Sequence, residues 1–384
     1  MKIPNFLFRI LIIVFFVFAV VVVNYQFYRM TDEEGGSHIL TTYMYFLLDV
    51  VCLLIIAFSS YRKYHGVHLV CLFWVPLVSF FLFFNHNQVS NIIRVILWPL
   101  LFEATYLCCR NFSSRSLQLK KVYFILAFVG GYYFLMTRIG FEHQSNTIYL
   151  AFLTLPWLLF ESKKTLQLVI LFLFTFFAML SLKRSMLLSM VLIWTFYFLF
   201  TMNKRRNRIY TIILSLVLLA GVYVLYDKVD ESLGGLLTER VNREETDSGR
   251  DRLAIWTLTM DMIQNSPTEK ILIGHGHFAV RNDSYLAISA HNDLLEVFYD
   301  YGIIIFILYL CLWGHVIRRS AFLYKIRSPY FLPYASSLAI FIIMSLVSHL
   351  ILYVTYFNYL VMFWAMMEAL VENNNVIIHK DQLS

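Results

Sequence analysis

Long apolar runs separated by short polar segments extend from one end of the sequence to the other. A helix needs about 20 apolar residues to cross the hydrocarbon core of a bilayer. With that window, the pattern predicts about twelve membrane-spanning helices. The first begins near Phe6, and the others lie near 40–59, 67–84, 91–109, 122–137, 147–160, 165–182, 186–202, 209–226, 294–315, 333–351 and 354–371.

One long polar interval interrupts this pattern between Asp227 and Gly302. It holds seven basic and fourteen acidic residues, whereas the flanking segments are apolar enough for lipid. We therefore predict three parts: a bundle of about nine spans in 1–226, a long outer loop in 227–293, and about three spans with a polar tail in 294–384. Any chemistry is expected in or beside the loop.

The loop is expected to contain an amphipathic helix. Leu253, Trp256, Met260 and Ile263 recur at the spacing of one helical face. We predict that this helix lies on the outer face of the bundle and ends near Asn265 to Pro267, where the proline stops it.

The composition is typical of an integral membrane protein. Hydrophobic residues make up 60% and charged residues 14% of the 384 residues, which sets the chain apart from soluble globular enzymes. We predict an all-α polytopic membrane protein. The net charge of +7 is spread in short basic groups between apolar runs, so no nucleic-acid partner is expected. All five cysteines lie within apolar runs, and no disulfide framework or zinc site is indicated.

The basic residues give the orientation in the membrane. Lysine and arginine are enriched in cytoplasmic loops. If the N-terminus is inside, nineteen of them fall on the cytoplasmic side and five on short outer segments. Both termini are therefore predicted to be cytoplasmic and the long loop to lie outside. The five outer residues are Arg29, Arg94, Arg138, Lys183 and Arg184.

Four short motifs in the second half of the chain carry a family resemblance. They are Lys183-Arg184-Ser185 at the start of a span, Arg252-x3-Trp256, Ile273-Gly274-His275-Gly276, and His291-Asn292-x9-Gly302. Their order resembles the O-antigen polymerase and O-antigen ligase superfamily. The resemblance covers roughly Leu182 to Ile305 and implies a glycosyltransferase of the bacterial inner membrane with a GT-C-like architecture.

The resemblance also implies the substrates and the partners. Donor and acceptor would both be glycans linked to undecaprenyl diphosphate in the lipid bilayer, with no cofactor. A chain-length regulator and a flippase are the further partners that it suggests. Among candidate activities, polymerisation of repeat units is favoured, because Ile305 stands where ligases of this family usually carry Gly, Thr or Tyr. The alternatives are a ligase that transfers glycan to the lipid A core and a flippase or transporter of lipid-linked sugars.

Arginines are the candidate ligands of the diphosphate. A guanidinium fork engages phosphate oxygens bidentately and stabilises the charge of a departing diphosphate. Arg184 and one of Arg250 and Arg252 are predicted in this role. Non-catalytic roles are the alternatives: a contact with lipid headgroups for Arg184 and exposed ion pairs for Arg250 and Arg252. No Asp-x-Asp motif is present to hold a metal against a nucleotide donor, so metal-independent transfer is expected.

His291 is the candidate general base, because an imidazole titrates near neutral pH and can accept the proton of a sugar hydroxyl. Alternatively, His291 and Asn292 only begin a helix, with asparagine as its cap. Arg94 and His349 lie near outer helix ends and are candidate supporting residues.

Several other polar residues are expected to have structural roles. Glu103 lies deep in a span, where we expect it to pair with a neighbouring helix. His275 and His277 are expected to shape the loop. Asp293, Glu296 and Asp300 follow helical spacing; they are expected to form a solvated or structural face, or else to orient His291 or bind sugar hydroxyls.

Overall fold

The computed structural model describes residues 14–15, 18–19, 39–59, 66–111, 148–161, 164–181, 183–201, 231, 249–352 and 354–381. Every regular element in these ranges is an α-helix, as the composition predicted. In chain order the helices are α1 (Ile39–Phe58), α2 (Val67–Phe84), α3 (Val89–Asn111), α4 (Ile148–Glu161), α5 (Lys164–Leu180), α6 (Arg184–Thr201), α7 (Gly249–Gln264), α8 (Thr268–Ile273), α9 (Ala279–Asp283), α10 (Asp293–Lys325), α11 (Phe331–Val347) and α12 (Val354–Asp381).

Three of these helices, α2, α3 and α10, are long and apolar enough to cross a membrane. Shorter apolar helices lie in α1, α4, α5, α6 and α11. The predicted spans at 122–137 and 209–226, and most of the first one, lie outside the described residues. The number of twelve spans and the GT-C-like architecture therefore stay predictions.

Helix boundaries follow the apolar windows where the sequence turns polar abruptly. The window 67–84 coincides with α2. In contrast, α10 continues to Lys325 and α12 to Asp381, well beyond the predicted ends near 315 and 371. An apolar window counts only residues suited to lipid, whereas the backbone continues in a helix into polar sequence until a helix-breaking residue intervenes.

The described chain divides into two compact units. The first comprises Met1–Gly130, Ile255–Val316 and His349–Ser384. Within it, α3 packs against α1, α2 and α12. Large aromatic side chains form its interior: the rings of Trp74 and Trp98 meet edge to face at 5.0 Å, and Phe357 follows at 5.5 Å from Trp98.

Polar side chains cross-link the helices of the first unit. Glu103 lies 2.7 Å from Nδ1 of His68, so its expected interhelical pairing is confirmed. The guanidinium of Arg110 donates to Glu372 at 2.6 Å. Because lipid offers no competing hydrogen bonds, pairing lowers the free-energy cost of placing such groups between helices.

The second unit comprises Gly131–Ala254 and Ile317–Ser348. Here α11 packs against α4 and α6, and α5 lies beside both α4 and α6. At the N-terminus of α6, the hydroxyl of Tyr149 lies 3.1 Å from that of Ser185, and the Lys183 ammonium lies 5.7 Å from the centre of the Tyr149 ring. These contacts fix the start of α6, where Arg184 is located.

The helix predicted in the polar interval is present as α7 (Gly249–Gln264). Leu253 and Met260 are exposed, whereas Ile255 and Thr259 are buried. Ile255 packs in an apolar cluster with Ala279, Val280, Ala290 and Tyr299. The apolar spacing indicated a helix correctly, but the side that faces this cluster was decided by the chain that returns beneath it.

Candidate functional site

Three acidic side chains lie on one face at the start of α10, and all three are buried. Asp293 and Glu296 are 0% exposed and Asp300 is 1% exposed, so of the expected alternatives the solvated face is excluded and the structural one remains. A buried carboxyl group is stable only when its oxygens accept hydrogen bonds. Each of the three receives such bonds from a different segment of the chain.

Glu296 joins the two histidines of the candidate site. Its Oε1 accepts the backbone N–H of His291 at 3.2 Å, and its Oε2 lies 3.2 Å from Nδ1 of His349. The imidazole rings of His291 and His349 lie 4.2 Å apart between centres, at an angle of 38°. One buried carboxyl group therefore fixes the backbone of one histidine and the ring of the other.

The backbone around His291 is held from both sides. His291 has φ +53°, a left-handed conformation that few residues other than glycine adopt. Just before it, the indole N–H of Trp256 donates to the carbonyl oxygen of Ala290 at 2.8 Å. Just after it, Oδ1 of Asn292 accepts the N–H groups of Leu294 and Leu295, as a helix cap does.

Asp293 attaches the segment after α11 to the start of α10. Its two oxygens accept the backbone N–H groups of Leu350 at 3.0 Å and Ile351 at 3.2 Å. The hydroxyl of Tyr309 donates to the same carboxyl group. These bonds hold the segment that carries His349, which is why that histidine lies beside His291.

Helix α10 is interrupted at Gly302, and the backbone of the preceding loop forms hydrogen bonds with the helix at this interruption. Gly302 has φ +76°, so Tyr299 and Asp300 lose their regular helical partners. Their carbonyl oxygens instead accept the N–H groups of His275 at 3.1 Å and Gly276 at 2.8 Å. The loop backbone thus replaces the hydrogen bonds that the broken helix lacks.

The carboxyl group of Asp300 holds the next part of the loop. It accepts the N–H groups of Phe278 at 2.9 Å and Val280 at 3.0 Å, where α9 begins. From the other side, Asn87 accepts the N–H of His277 at 3.1 Å, and Asn85 donates to the carbonyl oxygen of Gly274 at 3.0 Å. The turn between α2 and α3 therefore also supports the loop.

Both histidines of the loop have structural contacts. His275 stacks on Tyr299 at 4.1 Å, and its Nε2 lies 2.9 Å from the hydroxyl of Ser266. Nδ1 of His277 lies 2.6 Å from the hydroxyl of Tyr301. These positions agree with the expectation that both residues shape the loop. Burial lowers the pKa of His275, although the nearby Asp283 opposes this effect.

Acid is expected to destabilise the structure around His277. Burial, with a smaller effect of Arg94, lowers the pKa of His277 from 6.5 to about 3. Because the unfolded chain binds a proton near pH 6.5 and the folded chain only near 3, the contribution of His277 is complete above 6.5 and decreases as the pH falls from 6.5 towards 3. The thermal midpoint in detergent should therefore fall between about pH 7 and pH 5.

The matched variant for this experiment is His277→Gln, which has no titrating group at this position. Its thermal midpoint should fall less steeply over the same pH range than that of the wild type. Equal slopes for the two proteins would show that His277 does not cause the acid sensitivity.

The predicted site residues fall in both units. His291, His349 and Asn292 lie together in the first unit, as described above, and Arg94 lies on α3 of the same unit. Arg184, Arg250 and Arg252 belong to the second unit. Arg184 is exposed at the start of α6, and Arg252 is half-buried in the first turn of α7.

The sequence offered Glu296 only as one of three acidic residues that could orient His291 or bind sugar hydroxyls, and did not single it out. The available signal was the spacing of Asp293, Glu296 and Asp300, which places all three on one helical face directly after His291. What that face meets depends on segments far away in the sequence. Within the part of the chain that the structure describes, no group of three His, Cys, Asp or Glu side chains could hold a metal ion.

The arrangement is suited to proton transfer. An imidazole beside a second imidazole and a buried carboxyl group can accept a proton, and the carboxylate stabilises the resulting positive charge. His291 is the more exposed histidine, whereas His349 is 8% exposed. The group can therefore present His291 to a bound molecule and keep His349 behind it.

Comparison with known proteins identifies a family for this region. Residues 169–310 match a family model described as O-antigen ligase. The match runs from α5 into α10 and includes all four motifs that carry the sequence resemblance. A search among curated proteins found no match. The family match confirms the resemblance that the four motifs indicated.

Proposed function

We propose that the chain belongs to the O-antigen ligase and polymerase superfamily, because residues 169–310 match a family model described as O-antigen ligase, and that it polymerises lipid-linked repeat units. Its general activity is that of a membrane enzyme which transfers glycans from lipid carriers. In the specific reaction proposed, the growing glycan leaves undecaprenyl diphosphate and is attached to a hydroxyl group of another lipid-linked repeat unit. The product is an O-antigen, capsular or exopolysaccharide chain.

The observation that supports a transfer reaction most directly is the contact of His291 with Glu296 and His349 inside and beside the matched region. In the proposed step, His291 takes the proton of the acceptor hydroxyl group. The hydroxyl oxygen forms a bond to the anomeric carbon, and the bond from that carbon to the diphosphate breaks. The electron pair leaves with the diphosphate, and attack from the opposite face inverts the anomeric centre.

The arginines are proposed to bind the diphosphate. Arg184 and one of Arg250 and Arg252 would donate to its oxygens as negative charge develops on the leaving group. No metal ion is required in this proposal, because the guanidinium groups supply the positive charge. Arg94 and Asn292 are proposed as supporting residues, Arg94 through its charge and Asn292 through the helix cap that follows His291.

The nearest alternative is the ligase reaction, in which the acceptor is the lipid A core. The family match is equally compatible with this alternative and with polymerisation. The polymerase is supported by Ile305, which is 0% exposed and occupies a position where ligases usually carry Gly, Thr or Tyr. The proposed location is the inner membrane, with both termini cytoplasmic, the long loop periplasmic, and a chain-length regulator and a flippase as partners.

Purified protein in liposomes would separate these activities. With lipid-linked repeat units as the only sugar substrate, a polymerase produces a ladder of longer lipid-linked glycans. A ligase produces no ladder and transfers glycan only when lipid A core is added. A flippase or transporter forms no glycosidic bond in either mixture, so that result would contradict glycan transfer altogether.

Removing a diphosphate-binding arginine should lower the rate of transfer strongly. A charge-assisted hydrogen bond contributes about 1.5–3 kcal/mol, which corresponds to a loss of about 10- to 100-fold in kcat/KM. We expect this loss for Arg184→Gln and for one of Arg250→Gln and Arg252→Gln. The measurement is the initial rate of glycan transfer in the liposome assay.

A matched control for the arginine variants is Arg281→Gln. Arg281 is an exposed basic residue at the end of α9 and has no proposed role in binding. Its variant should transfer glycan at the wild-type rate. If Arg184→Gln and both loop variants also keep the wild-type rate, the arginines do not bind the diphosphate.

A further inference from the structure

Glu296 occupies the position from which one carboxyl group acts on both histidines. We propose that Glu296 and His349 form a positioning pair for His291, which sets its orientation and stabilises it after it takes the proton. This inference rests on the proposed glycan transfer and assigns a role to two residues that would not themselves touch the acceptor. It also explains why an acidic residue is buried directly after the candidate base.

The contacts of Glu296 are those of a group that orients others. Its Oε1 accepts the N–H of His291, and Oε2 meets Nδ1 of His349, so both oxygens are used within one small group. Glu296 is 0% exposed, and water cannot replace either bond. When Glu296 is ionised, it accepts the Nδ1–H of His349, which fixes the tautomer with the lone pair on Nε2.

The contact between the two rings links the protonation state of His349 to that of His291. With ring centres 4.2 Å apart, the two imidazoles cannot both be positively charged without strong repulsion. His349 therefore stays neutral while His291 holds the proton of the acceptor hydroxyl. The negative charge of Glu296 stabilises the imidazolium of His291, and the proton passes to water after the product has left.

Other ionisable groups act on the same carboxyl group. Asp293, Asp300 and Tyr301, all on α10, interact electrostatically with Glu296, and Asp293 also interacts with His349. Asp293 and Asp300 have their own backbone donors in Leu350, Ile351, Phe278 and Val280. Glu296 is distinct because its partners include both histidines, together with the backbone of Ala290.

The decisive variant is Glu296→Gln, which keeps the shape of the side chain. The amide oxygen can still accept the N–H of His291, and the amide nitrogen can donate to Nδ1 of His349. The substitution therefore preserves the fold but removes the negative charge and reverses the tautomer of His349. We expect kcat to fall about 100-fold, within the range for general base catalysis, while KM stays unchanged.

The pH dependence supplies a readout that a purely structural role would not change. Without the carboxylate, the imidazolium of His291 is less stable, so its pKa falls. The ascending limb of the rate against pH should therefore move to lower pH in Glu296→Gln by about one unit. Glu269→Gln, the same substitution at an exposed position on α8, should keep both the wild-type rate and the wild-type profile.

A double-mutant cycle tests whether Glu296 acts through His291. In a His291→Asn background, adding Glu296→Gln should cause no further loss of activity. His349→Gln should lower kcat about tenfold, less than the loss at His291, because it removes the orienting ring but leaves the base. A full additional loss in the double variant would overturn the proposal, and so would wild-type kcat with an unshifted profile in Glu296→Gln.

Nuclear magnetic resonance of ¹⁵N-labelled histidine separates failure of this inference from failure of the proposed function. If the wild type transfers glycan to neither acceptor, the proposed function is wrong, but the histidine titration can still be measured. Glu296→Gln should lower the pKa of His291 and change the tautomer of His349, with His349→Gln used for assignment. Identical histidine signals in the wild type and Glu296→Gln would overturn the positioning role.

Discussion

Replacement of His291 by asparagine is expected to reduce glycan transfer by about 10²- to 10⁴-fold, the range measured for loss of a general base. Asparagine tolerates the left-handed backbone at φ +53°, so the substitution should leave the local structure intact. It offers no group that titrates near neutral pH, and the acceptor hydroxyl therefore keeps its proton. The measurement is the turnover of purified protein in liposomes with lipid-linked repeat units.

His86→Asn is the matched control for this prediction. His86 also has a left-handed backbone, with φ +56°, and it is exposed in the turn between α2 and α3. The same substitution should therefore cost equally little in backbone strain at both positions. Transfer should remain at the wild-type rate in His86→Asn. Wild-type turnover in His291→Asn would show that this histidine is not the base.

Replacement of Gly302 by alanine should destabilise the protein severely. A Cβ atom on Gly302 would lie 2.6 Å from the backbone nitrogen of Gly274, where no flexible side chain can move away. The left-handed backbone at φ +76° adds strain for any residue with a Cβ. We expect a loss of about 4 kcal/mol or more, in the range of exceptional single substitutions, measured as a lower thermal midpoint in detergent.

Gly314→Ala is the control for this substitution, since Gly314 lies in the same helix and an added Cβ meets nothing within 4 Å. Alanine is the better helix former, so this variant should be as stable as the wild type or more stable by up to about 1 kcal/mol. If Gly302→Ala has the same midpoint as Gly314→Ala, the close crossing of the two backbone segments does not contribute to stability.

The crossing of Gly302 and Gly274 explains two of the sequence motifs in physical terms. A Cβ on Gly274 would lie 2.5 Å from Cα of Tyr301, so each glycine allows the backbone of the other segment to approach. The approach brings the loop N–H groups to the carbonyl oxygens of Tyr299 and Asp300. Both glycines therefore serve one structural purpose, although they belong to separate sequence motifs.

The start of α10 and the segment after α11 together position His291 and His349. Glu296 contacts the backbone of His291 and the ring of His349, and Asp293, one turn earlier, holds the backbone at Leu350 and Ile351. On the other side, the bond from Trp256 to the carbonyl oxygen of Ala290 fixes the chain before His291. The tryptophan of the Arg252-x3-Trp256 motif thus supports the candidate base through the backbone.

The helical, membrane-embedded character could be predicted from the sequence. In lipid, a spanning segment has few ways to form hydrogen bonds with its backbone N–H and C=O groups. A run such as 67–84 has to form its hydrogen bonds internally, and the observed α2 has those bounds. The resemblance that the family match confirms could also be found in the sequence, since short motifs in a fixed order can be recognised without knowledge of their contacts. His291 was proposed as the base from one of these motifs.

The residues that lie beside His291 could be identified only from the tertiary structure. The spacing of Asp293, Glu296 and Asp300 placed them on one face, but their burial depends on segments that return from elsewhere in the chain. His349 comes after α11 in the sequence, and the bonds of Asp293 to Leu350 and Ile351, with the contact of Glu296, hold it beside His291. A helical period is a local property and can be read from neighbouring residues, whereas the partner of a buried carboxyl group is set by packing between segments far apart in the chain.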